Sequence, residues 1–263
     1  MDTFEPSKYA TVEYDVTYCT IDGQESAMDI YYPEAGGPWP GLIFVHGGGW
    51  SEGDKDPLPA LPEGYLIASL NYRMYPAYRF PAMIEDVNCA IRFLHAHAAA
   101  CNLDPQRIAL IGHSAGGHLV ALAGLTDERT GWEVGPDLEQ SSQVQAVIDL
   151  SGPTDLRGPF PDDIHELIHN VFGPEQLVSA SPVQYVHPTA PPFLIVHGDA
   201  DPVVPVEQAH LFYDALRDAG APVEKLIIHN GGHGLEPVGG EMSPTAEELF
   251  DKILTFLAAH LGA

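Results

Sequence analysis

Short apolar runs recur along the chain from residue 42 onward, and segments with helical spacing lie between several of them. Each run fits a parallel strand that is buried on both faces. Strands that alternate with helices predict a doubly wound α/β sheet with right-handed crossovers, whose ligand site lies at the carboxyl ends of the strands. The predicted strands cover residues 42–45, 65–70, 108–111, 144–150, 193–196 and 226–228, and the predicted helices cover 81–100, 115–125, 206–219 and 245–261.

Two further segments complete the predicted architecture. Residues 12–20 and 28–32 are rich in β-forming residues and flank Asp22 and Gly23, which favours an opening antiparallel hairpin. Residues 153–192 lie between two predicted strands, contain many prolines and are too few for a domain, so we expect a small cap over the site. The 263 residues are accordingly expected to form a single domain over residues 1–263.

The charge balance excludes several classes of partner. Thirty-seven acidic and eleven basic side chains give a formal net charge of -26, which repels nucleic acid and anionic lipid. No apolar run approaches the roughly 20 residues that cross a bilayer. The first residues lack the basic start and apolar stretch of a signal peptide, so the chain is expected to be cytoplasmic. A homodimer is compatible with the sequence.

The three cysteines are expected to be reduced. Cys89 and Cys101 fall on one predicted helix. A separation of twelve residues corresponds to about 18 Å along a helix, which is far beyond disulfide reach. Structural thiols are therefore predicted.

Residues 112–116 read Gly-His-Ser-Ala-Gly and directly follow the apolar run 108–111. A G-x-S-x-G turn between a strand and a helix holds its serine in a strained backbone conformation and exposes the hydroxyl, while the glycines let strand and helix pass closely. Ser114 is therefore the candidate nucleophile. The amide of Ala115, at the start of the next helix, is a candidate oxyanion donor.

A glycine triplet follows the predicted strand 42–45, in the sequence His46-Gly-Gly-Gly-Trp50. Glycines can turn their amides toward a carbonyl oxygen without obstruction by side chains. Gly48 and Gly49 are therefore predicted to supply the other oxyanion donors. The alternative interpretation is a plain flexible loop.

An acid and a base follow later strands in an order that is typical of one fold. Asp199 and Asp201 come just after the strand 193–196, and His233 lies in a glycine-rich loop after the last strand. The order Ser114, Asp201, His233 is the one expected of α/β-hydrolases. We predict that Asp201 orients His233, and that Asp199 instead accepts hydrogen bonds from backbone amides.

The thirteen histidines do not indicate a metal site by their spacing. His95 and His97 are two residues apart on a predicted helix and point to different faces. His113, His187 and His197 are interpreted as structural. No metal site is therefore expected.

Together these motifs resemble the α/β-hydrolase esterases of the hormone-sensitive-lipase and feruloyl-esterase-like type. The resemblance extends from about residue 31 to the end of the chain and rests on motifs at 46–50, 71–73, 80–87, 112–117, 197–201 and 232–234. It implies an α/β-hydrolase fold with a mostly parallel eight-stranded sheet, helices on both faces and no cofactor. The larger relatives carry a long N-terminal helical cap for which this chain has no room, so a more open site is expected.

The sequence thus predicts a serine carboxylesterase that hydrolyses short-chain or small aromatic acyl esters through an acyl-enzyme. An aryl formamidase or a small-substrate peptidase uses the same constellation, because the leaving group is not encoded in these motifs. A third interpretation is a receptor of the same fold that binds a small molecule without catalysis. The predicted partner is a small ester.

Overall fold

The computed structural model of the protein describes residues 9–55 and 62–262. In chain order its strands are β1 (Thr11–Ile21), β2 (Gln24–Tyr32), β3 (Trp39–Val45), β4 (Leu66–Leu70), β5 (Leu103–His113), β6 (Ala146–Leu150), β7 (Phe193–Gly198) and β8 (Val223–Ile228). Its α-helices are α1 (Ala82–Ala96), α2 (Ala115–Leu125), α3 (Asp162–Phe172), α4 (Glu207–Ala219) and α5 (Ala246–Leu261).

The eight strands form one sheet in the order β1-β2-β4-β3-β5-β6-β7-β8. β1 and β2 form the predicted hairpin, and β2 also pairs antiparallel with β4. The strands from β3 to β8 are parallel to one another wherever they are neighbours. The predicted mostly parallel eight-stranded sheet is therefore confirmed, and the carboxyl ends of its parallel strands meet at one edge.

Helices cover both faces of the sheet. On one face, α5 packs through Leu249, Phe256 and Leu257, and its start is stabilised by a capping box between Thr245 and Glu248. On the other face, α1, α2 and α4 share a second apolar cluster with the sheet. In α1, Ile84, Val87, Ile91 and Leu94 recur at helical spacing and are buried.

The segment between β6 and β7, which was predicted to be a cap, contains α3 and a short 3-10 helix at Pro182–Tyr185. The side of α3 that faces the protein buries Ile168, Val171 and Phe172. The ring of Phe172 lies 4.9 Å from that of Trp50 and 5.3 Å from that of Phe80. α3 is thus anchored to the loops that follow β3 and β4.

Within residues 9–55 and 62–262, no helix combines the length and the apolar character that a membrane span requires.

The expectation of reduced cysteines is wrong for two of the three. Cys19 and Cys89 form a disulfide whose Cα atoms are 6.0 Å apart, and it links β1 to α1 across 70 residues of sequence. Cys101 has a free, buried thiol and follows α1, because the helix ends at Ala96 and not near residue 100. The partner of Cys89 comes from a distant strand, which spacing along one helix does not reveal.

Because this bridge closes a long loop, its loss should destabilise the fold. A cross-link over such a loop typically contributes about 2–4 kcal/mol, largely by restricting the unfolded chain. We expect dithiothreitol to lower the denaturant midpoint of the wild-type protein and to leave that of a Cys19→Ser/Cys89→Ser variant unchanged. Cys101→Ser is the control and should keep the response to reductant. Two additional free thiols in the untreated protein, measured by mass spectrometry after alkylation, would contradict the assignment.

Candidate active site

Ser114 lies in a sharp turn between β5 and α2. Its backbone has φ 56° and ψ -118°, in a region that residues with a Cβ rarely adopt. A Cβ on Gly116 would lie 2.0 Å from the carbonyl oxygen of Val45, and one on Gly112 would lie 2.3 Å from that of Gly116. The two glycines are therefore required by the close approach of β3, β5 and α2, which exposes the serine at the carboxyl edge of the sheet.

The structure brings Ser114, His233 and Asp201 together from three separate loops. The Oγ atom of Ser114 lies 2.8 Å from Nε2 of His233, and Nδ1 of the same imidazole lies 2.8 Å from Oδ2 of Asp201. A carboxylate only accepts, so Nδ1 carries the proton and Nε2 is free to accept the serine hydroxyl. The arrangement can remove a proton from Ser114 and pass it to a leaving group.

The side chain of Asp201 is fully buried, and four hydrogen-bond donors surround its carboxylate. Its Oδ1 accepts the amides of Val203 and Val204, and its Oδ2 lies 3.2 Å from Nε2 of His197 as well as 2.8 Å from His233. Burial alone would raise the pKa of this carboxyl, but the hydrogen bonds from His197 and His233 outweigh it and hold the pKa below its usual range. Asp201 is therefore ionised and rigidly held.

A second acid, Asp149, is buried at the carboxyl end of β6. Its Oδ1 accepts the amide of Gly152, while Oδ2 has no hydrogen-bond partner among the described residues. Burial raises the pKa of Asp149 to about 6, although the charge of His197 acts in the opposite direction. Asp149 and His197 are two groups that the sequence analysis did not place at the site.

The His233 loop is attached to the end of β7 by Asp199. The Oδ1 atom of Asp199 accepts the amide of Asn230 at 2.7 Å, as predicted, and Oδ2 accepts Nδ1–H of His229 at 2.8 Å. A Cβ on Gly198 would lie 2.1 Å from the carbonyl oxygen of Gly231. The loops that carry the acid and the base are thus in direct backbone contact.

The glycine triplet lies against the serine. A Cβ on Gly47 would lie 3.2 Å from that of Ser114, and the backbones of Gly48 and Gly49 have φ values of 102° and 58°. Among the described residues, the amides of Gly48, Gly49 and Ala115 have no hydrogen-bond acceptor. These three amides are therefore unpaired donors within the described structure.

Three histidines that were not predicted to be functional support these loops. His46 donates from Nδ1 to the carbonyl oxygen of Gly47 at 2.7 Å. The imidazole of His113 lies 2.8 Å from the carbonyl oxygen of His233, and His118 accepts Nε1–H of Trp50 at 3.2 Å and contacts the carbonyl oxygen of Ala180. Burial lowers the pKa of all three, to about 4 for His118, so they are neutral. The sequence could have indicated this role, because His46 directly precedes the glycine triplet, and His113 and His118 lie close to Ser114 in the chain.

The sheet topology, the turn at Ser114 and the line from Ser114 through His233 to Asp201 define an α/β-hydrolase. The chain belongs to the BD-FAE family, whose model matches residues 28–216. This confirms the fold and family that the motifs predicted.

Solved structures share the fold over nearly the whole chain. A truncated carbohydrate esterase from gut microbiota superposes with a TM-score of 0.84 at 26% identity and covers 100% of both chains. Thermogutta terrifontis esterase 2, phosphorylated by paraoxon, superposes with a TM-score of 0.77 at 25% identity over 94% of each chain. The same esterase with bound butyrate gives a TM-score of 0.74 at 25% identity, over 97% of this chain and 93% of the other.

Esterase LipC of Mycobacterium tuberculosis is a related sequence. It is 35% identical over 232 residues, which cover 81% of this chain. The chain spans only 57% of the length of LipC.

Asp149 should make stability depend on pH. Its carboxyl binds a proton more tightly in the folded state, where the pKa is about 6, than in the unfolded chain, where the ordinary pKa is 3.8. Its favourable contribution is therefore full below about pH 4 and is lost as the pH rises through about 6. Asparagine does not titrate, so the Asp149→Asn variant has no such contribution to lose. We expect the difference in unfolding free energy, variant minus wild type, to increase by roughly 2–3 kcal/mol between pH 4 and pH 7.

Urea unfolding of both proteins at the two pH values measures this difference. Other carboxyl groups are common to both proteins and cancel in the comparison. A difference that does not change with pH would show that Asp149 titrates normally.

Proposed function

We propose that the chain is a serine carboxylesterase that hydrolyses short-chain or small aromatic acyl esters through an acyl-enzyme. The observation that carries the proposal is the line of two 2.8 Å contacts from Ser114 through His233 to Asp201. Ser114 is the nucleophile, His233 the general base and Asp201 the residue that orients the imidazole.

In the acylation step, Oγ of Ser114 attacks the carbonyl carbon of the ester as Nε2 of His233 takes the hydroxyl proton. The imidazolium then donates this proton to the departing alkoxide, and the alcohol leaves. Ionised Asp201 stabilises the transient positive charge on the ring. Neutral His113, beside His233, adds no repulsion to that charge.

The oxyanion of the tetrahedral intermediate is bound by backbone amides. We assign this role to Gly48, Gly49 and Ala115, because their amides lack acceptors in the described structure. Ala115 follows Ser114 in the chain, and Gly47 holds the loop of Gly48 and Gly49 against Ser114. The amide of Ala115 also lies at the start of α2, where the helix dipole favours negative charge. Water activated by His233 then cleaves the acyl-enzyme and restores Ser114.

The segment 153–192 forms a small cap over this site in our proposal. Leu167 of α3 packs so closely on Gly49 that a Cβ there would lie 2.7 Å from its Cδ2 atom. An apolar side chain thus borders the proposed oxyanion donors, which suits a short acyl group. The proposal treats residues 1–263 as one α/β-hydrolase domain with this insertion.

The related proteins support ester chemistry. LipC is named an esterase, and the Thermogutta terrifontis esterase 2 is described as phosphorylated by paraoxon and, in another structure, bound to butyrate. These descriptions apply to LipC and to the Thermogutta terrifontis esterase, and they support ester hydrolysis by this chain only by similarity. An aryl formamide or a small peptide remains the alternative substrate, and a panel of matched aryl esters, amides and formamides distinguishes them by kcat/KM.

Ser114→Ala should reduce turnover of 4-nitrophenyl butyrate by about 10³-fold or more, because the variant lacks the nucleophile. Paraoxon should inactivate the wild type with one diethylphosphoryl group on Ser114, which peptide mass spectrometry locates. Ser151→Ala is a matched control, since Ser151 also has a positive φ (54°) at the end of a parallel strand but is fully buried. Activity and labelling that survive in Ser114→Ala and disappear in Ser151→Ala would overturn the assignment.

Two neighbouring acids provide a second test. Asp201→Asn should reduce kcat by about 10⁴-fold, because an amide neither stabilises the imidazolium nor favours the required tautomer. Asp199→Asn should keep most of kcat and lower stability, since Asp199 binds the backbone of Asn230 and not the base. Turnover and thermal unfolding of both variants measure this. A folded but inactive Asp199→Asn protein beside an active Asp201→Asn protein would transfer the role to Asp199.

A further inference from the structure

The outer face of α3 carries a set of side chains that the esterase site does not use. Asp162, His165, Glu166 and His169 follow the spacing i, i+3, i+4 and i+7, which places them on one side of a helix. Asp162, His165 and Glu166 are exposed and His169 is half-buried. The buried residues of α3 are Ile168, Val171 and Phe172.

The imidazole rings of His165 and His169 are in contact. The ring centroids of His165 and His169 are 4.3 Å apart, with an angle of 38° between the rings. In the part of the chain that the structure describes, none of the four side chains makes a hydrogen bond or an ion pair. Neither histidine is thus committed to another structural role, and both are accessible from solvent.

We propose that His165 and His169 form a binding site for a divalent transition metal such as Zn²⁺ or Ni²⁺. Imidazole nitrogen is a preferred ligand of these ions, and two histidines one helical turn apart can hold one ion between them. The exposed carboxylates of Asp162 and Glu166 lie on the same side of the helix and add negative charge beside the two imidazoles. The net charge of -26 raises the local concentration of cations at the surface.

The site is structural and not a second catalytic centre. Residues 165–169 read His-Glu-Leu-Ile-His, a pattern that zinc peptidases place on a helix with a third protein ligand. Among the described residues, no three histidine, cysteine or acidic side chains are placed to hold one metal ion. This pair was missed in the sequence analysis. His165 and His169 are four residues apart and share one side of a helix, whereas His95 and His97 are two apart and do not.

A bound ion would connect two successive turns of α3. The same helix holds Leu167 against Gly49 and Phe172 against Trp50. The metal would therefore stabilise the helix that borders the esterase site. The site itself does not depend on the proposed esterase function, and its test needs no substrate.

Isothermal titration of the purified protein with ZnCl₂ and with NiCl₂, at about 0.15 M NaCl to screen surface charge, tests the site. We expect one ion per chain for each metal, and no comparable binding of MgCl₂, because Mg²⁺ prefers oxygen ligands. His165→Ala and His169→Ala should each weaken Zn²⁺ binding about ten-fold or more. His260→Ala, which removes an exposed histidine from α5, is the matched control and should bind as the wild type does.

Nuclear magnetic resonance gives an independent readout. Substoichiometric Ni²⁺ should broaden the imidazole signals of His165 and His169 before those of His260, and circular dichroism should show that each variant is folded. Absence of Zn²⁺ binding by the wild-type protein would overturn the proposal. Equal losses in His165→Ala and His260→Ala, or equal binding of Mg²⁺, would show unspecific attraction to the acidic surface and would overturn it as well.

Discussion

The contact between Gly116 and the carbonyl group of Val45 is the constraint on which the rest of the site depends. It lets α2 approach β3 so closely that no Cβ fits between them. The turn at Ser114 is held in its unfavourable backbone conformation by this packing, since the flanking strand and helix leave the chain no other path. The same approach brings the glycine triplet after β3 against the serine, and thus places nucleophile and oxyanion donors side by side.

A second constraint is the cost of burying charge. The side chain of Asp201 is shielded from solvent, so its ionised form requires the two amides and two imidazoles that surround it. Asp149 is also buried, but among the described residues it accepts only the hydrogen bond from the amide of Gly152. Burial is therefore not offset, and the pKa of Asp149 is raised. The two carboxyl groups therefore differ in pKa, and the difference follows from the number of hydrogen bonds that each accepts. His197 interacts with both and so belongs to the electrostatics of the site.

α3 has two functionally distinct sides. The inner side packs Leu167 and Phe172 against the loop that carries the glycine triplet, and it explains why an insertion as short as 153–192 is ordered. The outer side presents histidines and carboxylates to solvent.

The sequence by itself determined the strand and helix order, the turn at Ser114 and the residues that line up with it, because these follow from local periodicity and from short motifs. It also distinguished Asp199, which binds the backbone of Asn230, from Asp201, which contacts His233. Only the tertiary structure decided the pairing of Cys19 with Cys89, the environment of Asp149, and the support of the loops by His46, His113 and His118. These features depend on burial or on contacts between residues that are distant along the chain. The spacing of residues within one segment encodes neither burial nor such contacts.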